Sequence, residues 1–186
     1  MIIRVLLVLA AAGAGLSADQ VDLGERYTVT VCLESAGSFT LSRASSLVSK
    51  MYAAIGVEID WRWPRNCPTV AIRVTMQGFS FPTEEPHSLA YAMPYQGTRI
   101  VIFFDRVQQA VDPRRVPALT AHVIAHEIGH ILEGVIRHSA SGVMKAHWDE
   151  DDFSEMAWKP LPFAPFDVAL IHQGLLRRAG LVAKSH

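Results

Sequence analysis

Apolar residues recur along this chain in two rhythms, and each rhythm marks its elements. Tyr27 to Leu33 (YTVTVCL) alternates β-branched and apolar residues, which predicts a first strand. Ser35 to Ser38 is a turn. From Thr40 to Ile55 the period lengthens. Leu41, Ala44, Leu47, Val48, Met51 and Ile55 fall on one face of a helix that Gly56 ends. Val57 to Trp61 and Val70 to Met76 predict two more strands, separated by a loop over Pro64 to Pro68. Gly78 to His87, with Pro82 and Pro86, predicts a long loop. Leu89 to Pro94 (LAYAMP) is short and strand-like, and Ile100 to Phe104 (IVIFF) predicts a buried strand. The longest helix is predicted over Pro113 to Gly134, with Asp112 as its N-cap and Pro113 in its first turn. Lys145 to Pro165 is acidic and aromatic, and Pro165 and Asp167 then introduce a last helix to about Ala179. This order is α+β, with one mixed sheet backed by helices.

The long helix carries the chemistry. His126-Glu127-Ile-Gly-His130 places two histidines four apart. An α-helix repeats every ~3.6 residues, so both imidazoles leave one face and can grip one metal ion. Glu127 sits one step round the helix, within reach of a water on that metal. This is the HExxH arrangement of zinc metalloproteases. Ile124, Ile128, Ile131 and Leu132 fill the remaining faces, as a buried helix requires. A catalytic zinc takes three protein ligands and keeps one open position. Two candidates compete for the third place. His138 follows His130 by eight residues, past a Gly134 able to turn the chain back. Glu155 follows by 25 and suits the HExxH class whose third ligand is a glutamate on a later helix. The turn sequence after His138 favours it over Glu155. His122 lies one turn before His126, where it is a group supporting the ligands or a buried histidine bonded to backbone. His87 and His147 read as surface residues.

HExxH, a glycine, a third histidine and a methionine-containing turn together resemble the metzincin clan. The run His138-Ser139 to Gly142-Val143-Met144 (HSxxGVM) is similar to its matrixin branch. The metzincin pattern has six residues from second to third histidine; here the step is eight, and Gly134 comes four after His130 rather than three. The full run HEIGHxxxGxxxHSxxGxM, followed by Trp148, resembles more closely a group of short secreted bacterial proteins. LAxAxP, a glycine and an apolar strand ending in Phe-Asp also resemble matrixins, where the first piece is the edge strand along which substrate lies. Here that piece is Leu89, Ala90, Tyr91 and Ala92; an ordinary hairpin is the alternative. The resemblance implies a single metzincin-like (zincin) domain: a mixed twisted sheet with an antiparallel edge strand, a long zinc-binding helix and a C-terminal helix. It implies a zinc endopeptidase in which His126, His130 and His138 hold Zn²⁺, Glu127 is the general base and Met144 forms an apolar floor. The aromatic run after Met144 reads as a pocket wall or as core for the last helix. A catalytically silent metal- or protein-binding module on the same fold is the alternative function.

Composition narrows the setting. The 186 residues carry a formal charge of −1 with no basic run, which argues against a nucleic-acid partner; a peptide or protein substrate is what the resemblance implies. Half are hydrophobic, enough for one sizeable core. The first 18 residues have Arg4, an apolar stretch from Val5 to Ala14 and small residues through Ala18. They read as a secretory signal peptide, leaving residues 19–186 as the catalytic domain, without stable membrane insertion. The expected setting is periplasm or medium, and the expected state a monomer. Cys32 and Cys67 then most simply pair with each other. The alternative, by analogy with metzincin zymogens, is that one thiolate acts as an inhibitory zinc ligand.

Overall fold

A computed structural model describes residues 27–34, 39–80, 88–92 and 98–183. The signal-like segment 1–18, the turn at 35–38, most of the proline-containing loop with His87, and Met93–Pro94 lie outside the described residues.

The chain opens with a strand–helix–strand unit: β1 (Tyr27–Leu33), α1 (Phe39–Ala53) and β2 (Val57–Arg62). β1 and β2 run parallel, with Tyr27 opposite Val57 and Val31 opposite Trp61. A parallel pair needs a crossover, and α1 supplies it. β3 (Ile72–Gln77) joins the other side of β1, and β5 (Arg99–Phe103) pairs parallel with β3. β4 (Ala90–Ala92) runs antiparallel to β5, Tyr91 opposite Val101, and forms the sheet's edge. The strand order is β2-β1-β3-β5-β4. This is the mixed sheet with an antiparallel edge strand that the sequence predicts.

Two helices lie against one another and bury their apolar sides in the core. α1 contributes Leu41, Ala44, Val48 and Met51. α3 (Val116–Glu133) is buried along every residue from Leu119 to Glu133, its histidines and glutamates included. The Tyr52 hydroxyl donates to the Ala125 carbonyl at 2.9 Å, fastening α1 to the middle of α3. Gly134 ends α3 in the left-handed conformation (φ 71°), and its N–H bonds back to the His130 carbonyl at 2.9 Å. α5 (Pro165–Ala183) packs across the C-terminal half of α3. The Cys32–Cys67 disulfide links β1 to the segment after β2, closing a separation of 35 residues. A loop of that length is worth about 4 kcal/mol against the open chain.

The structure corrects several sequence-based boundaries. α3 begins at Val116 rather than Pro113. Asp112 caps only a turn: its side chain accepts from Arg114 N at 3.0 Å and its carbonyl from Arg115 N at 2.8 Å. Pro117 takes the first-turn place expected of Pro113. Phe104 belongs to α2 (Phe104–Ala110), a helix missed because Val107 is its sole fully buried residue and sets no period. β3 starts at Ile72, since Val70 is exposed. α1 stops at Ala53 and α5 runs on to Ala183. The acidic stretch after Trp148, for which no helix is predicted, forms α4 (Glu150–Met156), with Asp149, Glu150 and Asp151 exposed. Asp149 caps it by accepting from Asp151 N and Asp152 N, both at 3.1 Å.

Candidate metal centre

The last two turns of α3 present His126 and His130 on one side, their Nε2 atoms 3.0 Å apart. His138 arrives from the loop beyond Gly134. One ring nitrogen from each of the three histidines lies within 4.8 Å of the others. Nitrogens bound at ~2.0–2.1 Å to one tetrahedral zinc stand roughly 3.3 Å apart, so the trio fits that ion after small ring adjustments. Orientation supports the fit. His126 Nδ1 stands 2.8 Å from the Val143 carbonyl, which can only accept. Nδ1 therefore carries the hydrogen, and the lone pair of Nε2 faces the other two rings.

Burial sets the charge of these rings. It pushes His126 down to about 4 and His130 down to about 3, with the neighbouring imidazoles adding to the effect on His130. His138 is the exposed member, and is lowered too, by partial burial and then by His147 and Arg137. All three are neutral at pH 7, the form that donates to a metal. Burial alone pushes Glu127 up to about 8. A cation held by the adjacent imidazoles acts in the opposite direction and favours its carboxylate.

The turn after His138 passes beneath the helix. Ser139 N donates to the Met144 carbonyl at 2.8 Å, and Met144 is fully buried. A Cβ placed on Gly129 would sit 2.5 Å from Met144 Sδ. The glycine inside the histidine motif is thus what lets the methionine lie directly against the helix.

In front of the histidines opens a cavity of about 550 Å³. His126, Glu127, His130 and His138 share it with Leu89, Ala90, Tyr91 and Ala92 of the sheet edge. Val123, Trp148 and Phe153 line it as well. Trp148 and Phe153 also pack on the core, whereas Trp158 of the same run is exposed. Trp148 Nε1 donates to the Gly142 carbonyl at 3.2 Å and its ring stands edge-on to His126.

No family model matches the sequence, and no curated protein matches it. Among solved structures, archaemetzincin from Methanopyrus kandleri matches with a TM-score of 0.54 and 14% identity, covering 84% of this chain and 99% of that one. The fold is metzincin-like. At that identity the likeness is one of fold, and the chemistry rests on the residues present here.

Within this metzincin-like fold the other candidates separate. His122 is fully buried and uses both ring nitrogens: Nδ1 donates to the Ala118 carbonyl at 2.7 Å, and Nε2 accepts from Leu161 N at 3.0 Å. It is the backbone-bonded histidine of the two readings. Glu155 pairs with Lys159 at 3.1 Å and is not among the converging groups. His147 is exposed, as read, yet it lines the cavity. Sequence reasoning missed Arg137, Ser139 and Asp167, which form a bonded cluster beside His138. The one available signal was an acidic residue inside the apolar run from Phe163 to Ile171.

Proposed function

We propose that this chain is a zinc-dependent endopeptidase that cleaves a peptide or protein laid in extended form along β4. The observation that carries the reading is the convergence of His126, His130 and His138 beside Glu127 in a cavity bordered by the sheet edge. Zinc held by the three imidazoles would supply Lewis acidity toward the scissile carbonyl and lower the pKa of a water to about 7. Glu127 takes the proton from the attacking water and passes it to the leaving amine, a role that suits a carboxyl group whose surroundings tune it toward neutrality. Met144 and Val143 support the ligands from below without reacting. β4 is the last strand of the sheet among the described residues, and an extended substrate adds to its outer side as a further strand. The matrixin-like run from Leu89 to Ala92 supports that placement.

The signal-like first 18 residues and the disulfide support export to periplasm or medium. Among the described residues, no helix is long and apolar enough to cross a membrane.

The test is incubation of the zinc-loaded chain with a mixed peptide library, with and without chelator. Internal cleavage that chelator abolishes and added zinc restores is expected. Intact peptides throughout would overturn the peptidase reading and leave a binding module.

A further inference from the structure

His138 is the weakly supported member of the trio. It is exposed and lies on a segment, residues 134–138, with neither helix nor strand of its own. A ligand must be held to a few tenths of an ångström, so something outside the loop has to fix it.

Both chain neighbours of His138 bond to a single oxygen. Arg137 Nη1 donates to Asp167 Oδ1 at 2.6 Å, and Ser139 Oγ donates to the same oxygen at 2.5 Å. Arg137 Nη2 closes the triangle by donating to Ser139 Oγ at 3.0 Å, and reaches toward the His138 carbonyl at 3.4 Å. Asp167 is fully buried in the first turn of α5, and its other oxygen accepts from Ala164 N at 3.1 Å, so the carboxylate is aimed by its own helix. The Arg137 guanidinium lies over the Phe166 ring at 4.8 Å and stands 3.7 Å from Oε2 of Glu133, the last residue of α3. The cluster therefore ties the end of α3, the His138 loop and the start of α5 at one point.

Burying two carboxylates around one guanidinium is an inefficient way to stabilise a fold, since well-packed apolar replacements often hold as well. What such a cluster does supply is direction, through short charge-assisted bonds. We propose that Asp167 is a positioning residue: through Arg137 and Ser139 it fixes the backbone on both sides of His138 and so sets the third imidazole against the other two. This rests on the zinc reading of the site.

Zinc affinity, measured by competition with a chromophoric chelator, tests it in four proteins: the unaltered chain, Asp167→Asn, His138→Ala and the double variant. Asp167→Asn is expected to weaken zinc binding by about 10–100-fold. In the His138→Ala background the same change is expected to add nothing, because the ligand it positions is gone. A merely structural role would weaken binding equally in both backgrounds, and that result overturns the proposal. Unchanged affinity in Asp167→Asn, with His138→Ala still weak, overturns the positioning role of Asp167 alone. A chain that binds no zinc overturns the positioning role and the zinc reading together. Ser139→Ala, which removes two bonds of the cluster but leaves Asp167 paired with Arg137, runs through the same cycle with the same expected pattern if Asp167→Asn does not fold.

Discussion

At the scale of single residues, burial decides what a histidine can do. His122 and His126 lie on the same stretch of α3, one turn apart, and their spacing alone cannot distinguish them. Contacts do: His122 spends both nitrogens on backbone, whereas His126 spends one and keeps the other for the cavity. Burial pushes His122 down to about 4, against about 6.5 for a histidine in an unfolded chain. Between those values the unfolded chain binds a proton that the folded chain refuses. The stability His122 contributes is complete above about pH 6.5 and is lost as pH falls toward 4. His122→Gln keeps a donor and an acceptor but does not titrate. In urea unfolding of metal-free protein, the unaltered chain is expected to lose roughly 2–3 kcal/mol more than His122→Gln between pH 7 and 4.5. Parallel losses in the two proteins would contradict the assignment. His126, Glu127 and His130 were legible because a helix converts a spacing of four into proximity. Asp167 was not, since its bonds to Arg137 and Ser139 cross 30 and 28 residues, and no local pattern records such a contact.

At the scale of elements, the site depends on how closely α5 crosses α3. A Cβ added to Gly174 would fall 1.7 Å from the Leu132 carbonyl oxygen and 2.8 Å from its carbon. Leu132 is two residues beyond His130, so the crossing supports the turn that carries His130. Alanine is the better helix former by about 1 kcal/mol, which by itself would favour Gly174→Ala. The opposing clash is with backbone, which cannot rotate away, and overpacking of that kind costs about 1–3 kcal/mol or more. The clash wins: Gly174→Ala is expected to lower the melting temperature by several degrees, read by calorimetry on metal-free protein. An unchanged or raised value would contradict the packing described. The strands were legible where alternation was clean, as from Tyr27 to Leu33, and α1 was legible from its period. α2 was hidden by its single fully buried residue, and α4 by an exposed acidic run with no apolar period, whose first turn Asp149 and Asp152 cap. The start of α3 was misplaced because Asp112 and Pro113 mimic a helix start four residues before Pro117 supplies the real one.

At the scale of the molecule, function follows from where the sheet edge stops. β4 is a three-residue strand on the outside of β5, and the cavity lies between it and the histidine face of α3. The strand–helix–strand start was legible in the order of elements, and the antiparallel edge in the resemblance to metzincins. The place of Trp148 and Phe153 in the cavity lining was not, because they reach it only through the path of the chain after Met144. A metal set, a carboxyl group and a sheet edge in one opening are the three parts that peptide hydrolysis needs. The carboxyl group is the part that separates an enzyme from a binding module. The most direct test is therefore cleavage of one peptide drawn from the library by the zinc-loaded chain and by Glu127→Ala, with zinc content measured on both. The expected result is about one zinc per molecule in each protein and a kcat/KM lower by about 10²–10⁴-fold in the variant. Cleavage by Glu127→Ala at the unaltered rate, with zinc still bound, would contradict the account.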